Sequence, residues 1–382
     1  MKINLSILGR LWTFDLAKQL QKKGYLNKLI TSYPKFKTRK WNIPSNKVVS
    51  KLHLELITRI DDKTLKFYRD RHPFTHQSLA RYAAKYMHEC DIHIGWSGGS
   101  LEAIIKAKQL GKIFILERGA THYNDQNKLL QDERNKYGDG CWIPRYHLWQ
   151  RELLEYELTD YISVPSSFAR ESFIKKGFNE DKILIHSLGV DLEEFKQVPK
   201  RDKTFRVIYA GKASFRKGFH YLLKAFYELN LPKTELYHLG TVDDAMKDYI
   251  EKYTTNKVRF LGHINQNELY KHYSQGSVFV FPSLEDGFGL VLTQAMACGL
   301  PIIATTNTGG VDLVTKDFEE GFIIPIRNVD ALKEKITYLY NNQEECMKMG
   351  KKAKVRVENG CSWDDYGEQY TASLEKIYNR HF

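Results

Sequence analysis

The stretch from Val278 to Gly310, VFVFPSLEDGFGLVLTQAMACGLPIIATTNTGG, narrows the choice of fold more than any other part of this chain. Its two apolar runs, 278–281 and 302–304, are joined by an acidic, glycine-rich turn and a short helical segment of apolar and small residues. Strands joined through a helix run parallel, because a tight turn cannot return the chain to the same starting edge. Such βαβ units gather polar loops at the carboxyl end of the strand, where open α/β sheets hold ligands. A ligand-handling enzyme is therefore the leading expectation.

The rest of the chain repeats the alternation. In the first half, strands are expected at 3–8, 29–32, 92–95, 113–116, 160–165 and 183–186, with helices at 15–23, 77–88, 101–110 and 167–176. After the proline- and charge-containing segment QVPKRDK, a fresh series begins with strands at 206–209, 235–239, 258–261, 278–281 and 301–304. Helices at 218–228, 243–253, 266–273 and 289–298 separate them. Alternating strands and helices imply a covered parallel sheet. Two doubly wound α/β domains are expected, 1–198 and 199–382, without a sequence repeat linking them. Trp363, Tyr366, Tyr370, Leu374 and Tyr378 recur at helical spacing, so one face of a terminal helix should be buried. Periodicity does not say whether that helix crosses back to the first domain.

With 382 residues, 42% of them apolar and 27% charged, the composition is that of a globular protein with room for two cores. The first 20 residues are too interrupted by polar groups for a signal peptide, and no apolar run is long enough to span a bilayer. Five scattered cysteines, Cys90, Cys141, Cys298, Cys346 and Cys361, suggest neither a disulfide framework nor a zinc site, and a reducing cytoplasm is expected. Residues 1–198 hold 33 lysines and arginines against 23 aspartates and glutamates, which leaves only +2 of the net +12 for the remainder. That excess suits a phosphorylated substrate, a polyanion or peripheral contact with an anionic membrane, although the cluster from Lys35 to Lys40 is equally an ordinary solvated surface. No nucleic-acid-binding motif accompanies the charge, so nucleic acid is not expected as a partner.

Candidate ligand groups lie after the strands. Asp286 could cap backbone N–H groups of the following helix. Gly287 and Gly289, flanking Phe288, suggest a tight backbone closely approached by a ligand. Gln294 stands roughly 12 Å further along at helical rise, a span suited to a sugar–diphosphate–nucleoside, or is simply an exposed helix residue. The loop GKASFRKG at 211–218 lacks the P-loop spacing, yet Lys212, Arg216 and Lys217 could neutralise a diphosphate; a basic surface turn is the plainer reading. Gly309 and Gly310 offer an anion site if a helix begins there. In the first half, His122 could bond a sugar hydroxyl or be merely structural. Gly9, Arg10 and Trp12 after one strand, and Gly98, Gly99 and Ser100 after another, could meet an acceptor or only turn the chain.

Taken in order, these residues resemble the retaining glycosyltransferases of family 4, with the GT-B fold of two Rossmann-like domains facing a cleft. The resemblance covers most of the chain and is strongest from Ser163 to Gly310. The family pattern PSxxEGFGLxxxEAMAxGxPVIAT is matched by Pro282-Ser283, Asp286-Gly287-Phe288-Gly289-Leu290, Gln294-Ala295-Met296-Ala297, Gly299 and Pro301-Ile302-Ile303-Ala304-Thr305. Val164-Pro165-Ser166, Gly189-Val190-Asp191 with Phe195, Gly211-Lys212 with Lys217-Gly218, Phe260-Leu261-Gly262-His263 and Ser362-Trp363 also match. The resemblance implies a UDP-, GDP- or ADP-sugar held mainly by the second domain, and a glycan, lipid-linked or other hydroxyl acceptor held mainly by the first. It places Lys212 and Lys217 on the diphosphate, Gln294 on the ribose, Asp286 on the transferred sugar, Gly262-His263 near the base and His122 near the donor sugar. Leu290, Gly309 and Gly310 complete the implied donor site, with no metal and no tightly bound cofactor. The chain departs from the pattern at Asp286 and Gln294, where the family has glutamates. The other readings are a GT-B phosphorylase with a pyridoxal cofactor, a degenerate sugar-nucleotide-binding protein, and a basic polyanion- or membrane-surface-binding protein.

Overall fold

The computed structural model describes residues 1–57, 72–138 and 146–382, so Cys141 lies outside the described residues. Its first half runs β1 (Ile3–Ile7), α1 (Thr13–Lys22), β2 (Leu26–Thr31), β3 (Val48–Ser50), α2 (His72–Lys85), β4 (Ile92–Trp96), α3 (Leu101–Gln109) and β5 (Ile113–Glu117). It continues through α4 (Tyr123–Tyr137), α5 (Tyr146–Leu158), β6 (Tyr161–Val164), α6 (Ser167–Ile174) and β7 (Ile183–Ile185). The second half runs β8 (Phe205–Ala210), α7 (Phe219–Leu229), β9 (Thr234–Leu239), α8 (Lys247–Tyr253), β10 (Val258–Phe260), α9 (Gln266–Tyr273), β11 (Val278–Phe281) and α10 (Leu290–Ala297). Then come β12 (Ile302–Thr305), α11 (Gly310–Leu313), β13 (Gly321–Ile324), α12 (Val329–Asn341), α13 (Gln343–Glu358) and α14 (Trp363–His381).

The strands form two parallel sheets, ordered β3-β2-β1-β4-β5-β6-β7 and β10-β9-β8-β11-β12-β13. Every residue of β1, β8, β11 and β12 is buried, and β11 and the first three residues of β12 accordingly read as apolar runs. A strand covered by helices on both faces has no solvent side on which to alternate. The strand order reverses between β1 and β4 in one sheet and between β8 and β11 in the other. Neighbouring connections leave in opposite directions at those points and open a crevice at the carboxyl ends. The loops carrying Trp12, Gly98, Gly211–Gly218 and Asp286 all leave from these strands.

The domain boundary expected at 198/199 falls between β7 and β8. At the far end, Ser362 and Asp365 form a reciprocal capping box that starts α14, and Tyr366, Tyr370 and Leu374 are buried. This helix does cross back. Gln19 of α1 bonds Asp364 at 2.8 Å, Tyr25 bonds Glu375 at 2.7 Å, and the His186 ring stacks on Tyr370 at 3.9 Å. The helix expected at 243–253 is shorter, a 3₁₀ turn at Asp244–Met246 leading into α8. Among the described residues no helix is long and apolar enough to cross a membrane.

Candidate active site

A cavity of about 230 Å³ lies where the two domains meet. Trp12 and Gly119 line it from the first domain, and Gly211, Lys217, Asp286 and Gly289 from the second. A larger hollow of about 440 Å³, lined by Lys203, Lys233 and Lys257, sits at the opposite, amino-terminal ends of β8 to β10 and shares no residue with the cleft. Position at the switch point, with convergent polar groups, favours the smaller cavity as the functional one.

Lys217 and Asp286 form an ion pair on the cavity wall, and Asp286 Oδ1 also accepts the Phe288 N–H at 3.2 Å. Burial alone would raise the Asp286 pKa, but Lys217 and Arg216 more than reverse it and hold the carboxyl below its usual range. Burial, aided by Arg216, pushes the Lys217 pKa down. The pair is placed by two tight turns. Gly218 opens α7 at φ +66°, and a Cβ there would stand 1.9 Å from the Pro282 carbonyl oxygen. Gly289 opens α10 at φ +85°, so Asp286 bonds within its own turn and does not cap the helix. Gly287 does not adopt a positive φ, and its need for glycine comes from the other domain: a Cβ would lie 2.2 Å from the Gly119 carbonyl oxygen. The close approach anticipated for a ligand at Gly287 is an approach of backbone to backbone.

Glu285, adjacent to Asp286, faces the first domain and is fully buried. Its carboxylate accepts the Thr121 N–H and hydroxyl, each at 3.1 Å, Gln126 Nε2 at 2.7 Å and Arg216 at 3.0 Å. Glu285 therefore fastens the loop after β5 to the loop after β8. Ser166 adds a bond to the Gly287 carbonyl, and Glu133 of α4 reaches His220 at 2.7 Å, Tyr221 at 2.9 Å and Arg327 at 2.8 Å in the second domain. Hydrogen bonds to a charged group contribute about 1.5 kcal/mol or more each, and Glu285 accepts from Thr121, Gln126 and Arg216. Glu285→Ala is expected to lower the chemical-denaturation midpoint accordingly, whereas an unchanged midpoint would show that this seam contributes nothing to stability.

The remaining expected residues divide between the cavity and its surroundings. Trp12 lines it, edge-on to Trp96 at 4.8 Å, with its indole N–H toward Glu117 at 3.4 Å. Glu117 is buried, also accepts the Tyr370 hydroxyl, and is raised in pKa by burial. Phe288 and Leu290 are cavity residues as well. Lys212 does not reach the cavity wall and pairs with Asp243 at 2.7 Å on the surface. His122 caps α4, its Nδ1 accepting the Asn124 N–H at 3.2 Å while its ring packs on Tyr156 and Phe173. Burial pushes that imidazole down to about 4, so it is neutral at neutral pH. Gln294 accepts the Tyr273 hydroxyl at 3.3 Å from the half-buried face of α10. Gly262 and His263 are exposed beyond β10.

At the expected anion site of Gly309 and Gly310, and at the expected acceptor loop of Gly98 and Gly99, backbone N–H groups are already bonded from within. The N–H groups of Gly309 and Gly310 donate to Phe288 O at 3.0 Å and Thr308 Oγ1 at 3.2 Å. Those of Gly98, Ser100 and Leu101 all donate to Glu155, at 2.7 Å for Ser100 and 2.9 Å for Leu101. An internal carboxylate thus fills the helix terminus beside Gly98 and Gly99, and burial pushes it up to about 7. Gly9 bonds Ser32 at 2.7 Å, and Arg10 is exposed and is not part of the cavity wall. Glu285, Glu155 and Glu133 had no distinguishing signal in the sequence, because the groups that hydrogen-bond their carboxylates lie 54 or more residues away.

Residues 190–356 match the family model described as glycosyl transferases group 1. The capsular polysaccharide biosynthesis glycosyltransferase CapM of Staphylococcus aureus is 28% identical over 57% of this chain and 63% of its own length. The sulfoquinovosyl transferase SQD2 of Arabidopsis thaliana is 27% identical over 61% of this chain and 50% of its own. The chain thus spans one half to just under two thirds of these relatives. Among solved structures, Anabaena Alr3699/HepE in complex with UDP superposes with a TM-score of 0.72 over 98% of this chain and all of its own, at 16% identity. Sucrose-phosphate synthase from Thermosynechococcus elongatus gives 0.73 over the whole of both chains at 19% identity. The chain therefore has the GT-B fold, and the segment from 190 to 356 that matches the glycosyl transferases group 1 model includes β8 to α13.

Proposed function

We propose that this protein is a retaining glycosyltransferase of family 4, moving a hexose from a nucleotide-sugar to a hydroxyl of a glycan or lipid-linked acceptor. The observation that carries this reading is the Lys217–Asp286 pair on the wall of the interdomain cavity, inside the segment that matches the glycosyltransferase family. The second domain, from about residue 199, takes the donor, with the diphosphate against the Gly211 loop and Lys217. Arriving phosphate competes with Asp286 for the lysine and frees the carboxylate to meet sugar hydroxyls. Lys217 and Arg216 then stabilise the charge that develops on the departing diphosphate. The acceptor hydroxyl enters past Trp12 and attacks the anomeric carbon on the face the diphosphate leaves, and a phosphate oxygen takes its proton. Lys212 reaches the diphosphate only after exchanging Asp243 for it. Gln294 contributes a neutral hydrogen-bonding group for the ribose. The work is placed in the cytoplasm.

The HepE structures hold UDP and UDP-glucose, which makes uridine sugars the first choice for a test. Calorimetric titration with UDP-, GDP- and ADP-sugars is expected to give saturable binding of one nucleotide class, with slow release of free sugar in the absence of acceptor. No binding of any class would overturn the reading, and binding without transfer or hydrolysis would identify a degenerate sugar-nucleotide-binding protein.

A further inference from the structure

Residues 1–50 hold eleven lysines and arginines against one carboxylate, Asp15. Five of these cations, Arg10, Lys35, Lys37, Arg39 and Lys40, follow the carboxyl ends of β1 and β2, the end of the sheet that carries Trp12. In the 3₁₀ helix Lys35–Trp41 a three-residue repeat turns Thr38 and Trp41 inward and leaves Phe36, Lys37, Arg39 and Lys40 exposed. Trp41 anchors it, donating to Asp15 at 3.0 Å and packing on Phe14. Phe36 is 68% exposed and Leu11 41%. The two loops make one surface: Arg10 lies 5.2 Å over the Trp41 ring, and Gly9 bonds Ser32 at 2.7 Å. Ser32 in turn bonds Glu55, beside the exposed Leu52 and Leu56. Among the described residues no carboxylate lies within ion-pair distance of Lys35, Lys37, Arg39 or Lys40.

Cations that no described carboxylate neutralises, standing around exposed apolar side chains, match a surface that is anionic outside and apolar beneath. A polyanion in water would engage the cations and leave Phe36 and the leucines without a partner. We infer that this face docks on a bilayer containing anionic lipid, with Phe36 and Leu11 entering the headgroup boundary and the cations meeting lipid phosphates. Docking holds the Trp12 side of the cleft near the membrane, so a lipid-linked hydroxyl reaches it while its tail stays in the bilayer. The last step rests on the proposed activity, whereas the docking itself does not.

Co-sedimentation of the full chain with phosphatidylcholine vesicles, with or without 30% phosphatidylglycerol, tests it at low and high salt. Binding is expected only to the anionic vesicles, weakening with salt. Each cation near such a surface is worth roughly fivefold in affinity. Changing Lys35, Lys37, Arg39 and Lys40 together to glutamine should therefore cost upward of a hundredfold. Phe36→Ser, with all charges kept, should cost about tenfold. Circular dichroism melts check that both variants fold. Equal binding to neutral vesicles, or no binding to either, overturns the inference. A Phe36→Ser variant that binds vesicles as the parent does, while the glutamine variant loses vesicles and heparin alike, overturns it in favour of a general polyanion site.

Discussion

Lys217→Ala is expected to weaken nucleotide-sugar binding at least a hundredfold and to reduce turnover by a similar further factor. One preorganised donor aimed at developing negative charge is worth about a hundred- to a thousandfold in rate. In the proposed mechanism Lys217 is such a donor, on a side chain only 20% exposed, where solvent screens little. Its removal also alters Asp286, whose carboxyl is held down by Lys217 and Arg216 against burial. With Lys217 gone, that pKa should rise, leaving Arg216 as the nearest compensating cation. Calorimetric titration of the variant with the preferred donor reads the first effect and initial rates read the second. Affinity within threefold of the parent would remove Lys217 from the diphosphate site and undo the assignment of this cavity.

Gly287→Ala is expected to cut turnover about a hundredfold while leaving each domain folded. The methyl group would meet the Gly119 oxygen at 2.2 Å, its carbon at 2.7 Å and Ala120 Cα at 2.9 Å, all backbone of the opposite domain. Backbone in a sheet-end loop cannot swing aside as a flexible side chain does, so relief has to come from separation of the domains. Separation lengthens the Glu285 bonds to Thr121 and Gln126 and moves Trp12 away from Asp286. Rate measurements combined with small-angle scattering test this, the variant being slow and slightly expanded. Parental rates would show that turnover proceeds with the seam open.

The two glycines beside Phe288 illustrate what the sequence could and could not disclose. Gly289 answers a local demand, a left-handed backbone at the start of α10, and its neighbours in sequence suffice to suggest it. Gly287 answers a demand set by Gly119, a residue of another sheet. The strands were legible for a similar reason, since an apolar run such as Val278–Phe281 reflects burial on both faces of a parallel sheet. Helix α4 was not, because it buries only Tyr123, Leu130 and Glu133, and Glu133 is buried through partners in the second domain. Helix α12 carries a readable period in Leu332, Ile336 and Leu339 although it was not among the expected elements. Strand β13, only four residues long, has too little length for a pattern to emerge.

By itself, then, the sequence determined the parallel two-domain architecture and which loops carry cations, carboxylates and glycines at the strand ends. It did so because hydrophobic period and turn chemistry act over a few residues. Tertiary structure alone decided the partners. Asp286 turns to Lys217, while its neighbour Glu285 turns to Thr121 and Gln126; Glu155 fills the helix terminus near Gly98, and Lys212 is drawn to Asp243. A carboxylate's partner depends on where separately wound loops come to rest, and a few ångströms there separate a group that bridges domains from one that faces a ligand.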